Sequence, residues 1–193
     1  MTDAVVLVDP EGHAIGQAPR ATVHDSDTPL HLAFSLHLLD DRDRVLLTRR
    51  ALTKRTWPGV WTNSCCGHPR PDEPLEVAVV RRVREELGVG VTALECLLPR
   101  FRYRAVDASG MVENELCPVF VARVDGEVLA DPDEVAEWTW VDWADLVRAI
   151  TAVPAAFSPW AAKAVPELTA AGFGPGRPPA PGPAAPAAGG AGG

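Results

Sequence analysis

Short, β-rich apolar runs separated by turn residues dominate the first half of the chain, and one long helical period interrupts them. Ala4–Val8 (AVVLV) is the first run, stopped by Asp9, Pro10, Glu11 and Gly12, and a second short strand near 13–17 closes an edge hairpin. Residues 32–39 (LAFSLHLL) and 45–49 (VLLTR) flank the polar stretch DDRDR, which predicts two antiparallel strands. The period then changes. From Asp72, Glu73 and Pro74 onward, Leu75, Val79, Val83 and Leu87 recur every four residues and Gly88 follows. That pattern predicts a helix with acidic residues at its first turn and a glycine stop. Strands are expected near 97–105 and 113–124, then a mixed stretch with Trp138 and Trp140, then helices around 143–150 and 159–171. A mainly antiparallel mixed sheet carrying helices makes the class α+β, an α/β/α sandwich, with no internal repeat.

Composition refines the boundaries. From Gly172 the chain reads GFGPGRPPAPGPAAPAAGGAGG, with almost nothing to bury, so 1–171 are expected to form one domain and 172–193 a disordered, dispensable tail. The whole chain is 47% apolar and 23% charged, an ordinary globular mixture. Acidic residues outnumber basic ones 26 to 18, for a net charge of −8, which argues against a broad nucleic-acid footprint while leaving room for a local basic patch. No run of 18 apolar residues occurs, and Met1, Thr2 and Asp3 do not open like a signal peptide. A cytoplasmic protein with no membrane partner is expected, and a monomer, because no apolar stripe is left over. The four cysteines, Cys65, Cys66, Cys96 and Cys117, are too sparse for a disulfide scaffold and are read as thiols.

Candidate chemistry begins at ENELCPVF. In a strand, Glu113, Glu115 and Cys117 share one face. Two carboxylates that close are either solvent-facing or bridged by a cation. His24, His31 and His68 lie in loop-like segments, and three imidazoles with two carboxylates suit Zn²⁺, Mn²⁺ or another divalent ion if they converge. His13 and His37 read as a turn residue and a strand residue.

Residues 67–89 carry Gly67, Glu73, Arg81, Val83, Glu85, Glu86, Gly88 and Val89 at the spacing of the Nudix signature, with Arg82 where that signature has a glutamate. Arg82 and Glu86 lie one turn apart, as do Arg81 and Glu85. The first pair is read as functional and the second as a solvated pair on the helix surface. Together with HLAFS, TRRALTKRTWPGVWTNSCCGHP, FRYRA, ENELCPVF and AFSPW in that order, this degenerate box resembles type I isopentenyl-diphosphate isomerase over residues 4–165.

The resemblance implies an enzyme of isoprenoid biosynthesis that interconverts isopentenyl and dimethylallyl diphosphate on a Nudix-like fold. It carries one divalent metal, Zn²⁺, Mn²⁺ or Mg²⁺, onto His24, His31, His68, Glu113 and Glu115. It carries proton transfer onto Cys66 and Glu115, and an assisting role onto Tyr103. A Mg²⁺ site falls on Glu86 with the main-chain carbonyl of Cys66. Phosphate contacts fall on Arg50, Lys54 and Arg82, and the aromatic facing the reacting carbons on Trp160. Trp57 and Trp61 are further candidates for the pocket wall. A Nudix diphosphohydrolase, with its box incomplete at Arg82, is the alternative, and a silent diphosphate-binding module is the third reading.

Overall fold

The computed structural model describes residues 4–174. Twelve strands form two sheets. Strands β1 (Ala4–Val8) and β2 (Ala14–Pro19) make the expected edge hairpin. They are joined by β3 (His31–Leu32), β9 (Arg102–Val106) and β10 (Val112–Leu116), in the order β2-β1-β3-β10-β9. The second sheet runs β12-β5-β4-β11-β8, from β4 (Phe34–Leu39), β5 (Val45–Arg50), β8 (Gly90–Leu98), β11 (Val119–Asp125) and β12 (Val135–Val141). Two short strands attach to it: β6 (Trp61–Thr62) on β5 and β7 (Cys65–Gly67) on β4.

Helix α1 (Leu75–Leu87) obeys its period. Val79, Val83 and Leu87 are fully buried with Phe34, Leu36, Leu38 and Phe120 on one face of the larger sheet. Gly88 ends it in the left-handed region at φ 68°, and a side chain there would meet the Leu129 carbonyl at 2.9 Å. Helices α2 (Trp143–Ala152) and α3 (Pro159–Ala170) bury Trp143, Leu146, Trp160 and Val165 in a second core. β4 is therefore buried throughout, as the middle of a sandwich requires.

Three apolar runs that read as single strands each divide between the sheets. The run 32–39 breaks at Ala33 into β3 and β4; the run 113–124 breaks at Cys117 and Pro118 into β10 and β11; and the run 97–105 breaks into the end of β8 and β9. Pro118 has no N–H to extend a ladder, while its carbonyl accepts from the Ser35 amide at 3.0 Å. The crossings lie side by side: Ala33 N–H donates to Leu116 O at 2.9 Å, and Cys117 N–H to Phe101 O at 2.8 Å. Residues just before or after a crossing thus face the seam between sheets.

Two expectations change. Glu73 lies outside the helix that starts at Leu75 and faces the side chain of Arg81, so Glu76 is the acidic residue of the first turn. Phe173 is 4% exposed and packs edge-on against Trp143 at 4.7 Å, so the packed domain extends past 171; residues 175–193 lie outside the described residues. The four cysteines are free thiols, and no helix among the described residues is long and apolar enough to cross a membrane.

His37 is a strand residue, as expected, but neither of its ring nitrogens has a hydrogen-bond partner. Burial lowers its pKa from 6.5 to about 4. The folded state therefore resists a proton that the unfolded chain accepts, so stability falls as pH drops from 6.5 towards 4, by on the order of 3 kcal/mol. His37→Leu is expected to raise the melting temperature by several degrees and to flatten that acid slope. Equal acid slopes for both proteins in melting curves across this pH range would contradict it.

Candidate active site

The register of β10 sets the centre. Glu115 pairs with His31 of β3 on one side and Tyr103 of β9 on the other. Tyr103 Oη–H donates to Glu115 Oε2 at 2.8 Å, while Glu115 Oε1 lies 3.0 Å from His68 Nε2 and 3.5 Å from His31 Nε2. His31 Nδ1 must donate, because its partner at 2.9 Å is the Pro29 carbonyl; its Nε2 faces His68 Nε2, 3.2 Å away. One ligand atom each from His24, His31, His68 and Glu115 lies within 4.8 Å of every other. His24 Nε2 is buried without a hydrogen bond, although Glu113 Oε2 is 3.1 Å away. Three imidazole nitrogens and a carboxylate that converge, with His24 Nε2 left unsatisfied, fit a divalent ion. Glu113 stands at the edge of this set, its Oε1 accepting from Thr56 Oγ1 at 2.7 Å.

Electrostatics follow the geometry. Burial disfavours the Glu115 carboxylate, but hydrogen bonds from His31 and His68 and their charge outweigh it and hold its pKa well below the usual range. Burial pulls His31 down too, yet Glu115 raises it above 6.5, whereas in His68 burial prevails and the pKa is lowered. Burial, then the charge of Glu115, pushes the Tyr103 phenol far up, so it stays protonated.

The thiol comes from the other sheet. Cys66 on β7 is half-buried, and burial pushes it up to about 11. It lines the same cavity as Glu115, Tyr103 and Trp160, a space of about 770 Å³. Trp160 stands on α3 under Arg50, whose guanidinium carbon lies 5.3 Å from the ring centre. Trp57 packs edge-on against Trp160 at 5.4 Å, bracing it from outside the cavity lining, and Trp61 packs against the core.

Arg50, Lys54 and Arg82 are the cations of the same lining given phosphate contacts by the sequence. Lys54 is ion-paired to Glu134; Arg82 contacts Glu86 and reaches Glu85 at 2.8 Å and Glu134 at 3.3 Å. Burial raises the Glu86 pKa, only partly countered by Arg82. Cys65 Sγ lies 3.4 Å from Glu86 Oε2 and 3.8 Å from the Cys66 carbonyl, so carboxylate and carbonyl border one small space. Arg81 does more than the expected solvated pair with Glu85 at 3.3 Å. It grips both oxygens of Glu73 at 2.7 Å and donates to the His68 carbonyl at 3.3 Å, tying the loop that carries His68 to α1.

Every residue given a catalytic, substrate or metal role from the sequence lines this cavity, except that His31 sits fully buried within the histidine cluster; Trp57 and Trp61, expected in the pocket wall, do not line it. Asn63, Thr56 and Glu134 also line it and were not singled out. Asn63 lies within the quoted TNSCCGHP, so its motif was visible although its hydrogen bonding was not.

The NUDIX domain model matches residues 29–168. A protein of Deinococcus radiodurans superposes with a TM-score of 0.67 at 19% identity, covering 85% of this chain and 98% of that one, which bears on the fold alone. A Mycolicibacterium vanbaalenii protein named isopentenyl-diphosphate Delta-isomerase is 62% identical over 172 residues, covering 89% of this chain and 94% of that protein. The chain belongs to the isopentenyl-diphosphate Delta-isomerase family. A Frankia alni protein of the same name is 58% identical, covering 88% of this chain and 86% of its own length. This kinship makes the chain an isomerase and decides against the Nudix hydrolase, in agreement with Arg82 in place of an acidic residue.

Proposed function

We propose that the chain interconverts isopentenyl and dimethylallyl diphosphate by adding a proton to one alkene carbon and removing another from the allylic carbon, through a tertiary cation. The observation that carries this is one cavity lined by a thiol from one sheet and a carboxylate from the other, with Arg50, Lys54 and Arg82 also in its lining. A single side chain cannot serve both faces of the alkene, so donor and acceptor must be separate groups. Before substrate binds, Cys66 is a thiol and Glu115 a carboxylate, which gives one of each. Tyr103 holds Glu115 Oε2 and fixes the direction of Oε1.

The three cations grip the diphosphate, and this remote binding holds the small hydrocarbon in register for proton transfer. Trp160 presents a π-face to positive charge, and water has to be kept from the cation for the isomer to form. A Zn²⁺, Mn²⁺ or Mg²⁺ ion on His24, His31, His68 and Glu115, flanked by Glu113, would supply positive charge that keeps Glu115 ionised. Glu86 and the Cys66 carbonyl would hold a Mg²⁺ that neutralises the diphosphate. Neither a membrane nor nucleic acid enters the reaction.

The test is a product assay with isopentenyl diphosphate. The dimethylallyl isomer is expected with no release of phosphate or pyrophosphate. Phosphate release without isomer would restore the hydrolase, and substrate binding without any product would favour the silent module.

A further inference from the structure

Asn63 is 1% exposed, and its amide orientation follows from its surroundings. Its Nδ2 donates to two main-chain carbonyls, Cys65 O at 2.8 Å and Leu36 O at 3.1 Å, neither of which can donate in return. Oδ1 therefore faces the donors. It accepts from Trp160 Nε1–H at 3.1 Å, from Thr62 Oγ1–H at 2.9 Å and from the Cys66 thiol at 3.3 Å. Cys66 Sγ also lies 3.1 Å from Nδ2, whose two hydrogens serve the carbonyls, so the sulfur is held against the amide chiefly through Oδ1.

These bonds join parts of the fold remote in sequence. Thr62 accepts from Ser158 Oγ at 2.8 Å, and Ser158 caps α3 by accepting from the Ala161 amide at 3.3 Å. The start of α3, the indole of Trp160 and the sulfur of Cys66 are thus all referenced to one amide group. Three of the six contacts at its nitrogen and oxygen, to Cys65 O, Leu36 O and Thr62 Oγ1, would suffice to hold the backbone and Thr62 in place. The other three, one to Trp160 and two to Cys66, are aimed at groups that face substrate.

We propose that Asn63 is a positioning residue that fixes the separation between the Cys66 thiol and the Trp160 ring, so that proton transfer and cation stabilisation act on the same carbon skeleton. This deepens the proposed function and rests on the roles given there to Cys66 and Trp160. Accepting the indole N–H also draws electron density into the ring that faces the cation. Asn63 bonds to none of Arg50, Lys54 and Arg82, so its loss is expected to lower turnover and leave binding nearly unchanged.

The experiment measures kcat and KM separately for Asn63→Ala, Cys66→Ala and a protein with Trp160 replaced site-specifically by benzothienylalanine, which keeps a fused ring and lacks the N–H. For Asn63→Ala, kcat is expected to fall on the order of 10²-fold with KM within about threefold of wild type. The replacement at 160 is expected to lower kcat roughly tenfold, again with KM retained. If Asn63→Ala does not fold, the replacement at 160 decides, because it leaves Asn63 and its backbone bonds in place. Wild-type kcat in either protein, or a loss that appears in KM instead, overturns the inference. Wild-type turnover by Cys66→Ala would instead bring down the reaction scheme on which it rests, whereas an inactive Cys66→Ala beside a fully active Asn63→Ala defeats the inference alone.

Discussion

Cys66→Ala and Glu115→Gln are each expected to lower kcat for isopentenyl diphosphate by about 10² to 10⁴-fold, which corresponds to roughly 3 to 5 kcal/mol of transition-state stabilisation. Binding should survive in both, because Arg50, Lys54 and Arg82 are untouched. Cys66 is half-buried, and alanine there removes one sulfur bonded to Asn63 and Ser35, so its melting temperature should stay within a few degrees of wild type. Glu115→Gln keeps the shape and the bond from Tyr103 and removes the charge that His31 and His68 face. The comparison is steady-state kinetics beside circular dichroism melts. Wild-type kcat in both folded variants would remove the two-group scheme.

Loss of the metal should be nearly as severe. Dialysis against EDTA is expected to abolish turnover, and addition of Zn²⁺, Mn²⁺ or Mg²⁺ one at a time should restore it to differing degrees and so identify the ion. His24→Ala is the matching variant, because His24 is partly exposed and its Nε2 has no hydrogen bond to lose. Its metal affinity should fall at least about 100-fold, read as metal content per chain after gel filtration, with the fold retained. Full metal content in His24→Ala, together with activity that resists EDTA, would contradict the site built on the three histidines.

The parts of the fold that were legible had a period long enough to repeat. Leu75, Val79, Val83 and Leu87 give α1 in full, with Gly88 closing it. The sheet switches were hidden, because an extended chain that passes from one sheet to another stays extended and apolar on both sides of the crossing. Pro118 was the one local signal, and Ala33 gave none. Phe173 was lost among glycines although it packs on Trp143, since a single buried aromatic makes no pattern.

The site was legible in the same uneven way. Residue types and their order brought forward His24, His31, His68, Glu115 and Cys66, which the structure gathers at the seam. Glu134 depends on a turn after Asp131 that swings it onto Lys54 and Arg82, and nothing in its neighbours in sequence announces that. Arg81 was misjudged because its stronger partner, Glu73, lies before the helix rather than one turn along it.

The central claim is that a proton enters the hydrocarbon from one side chain while another leaves to a second. Incubation of wild-type enzyme with isopentenyl diphosphate in D₂O, followed by NMR of the C5 products, tests it directly. Dimethylallyl diphosphate bearing solvent deuterium at the newly formed methyl group is expected; isomer formed without any solvent label would contradict it.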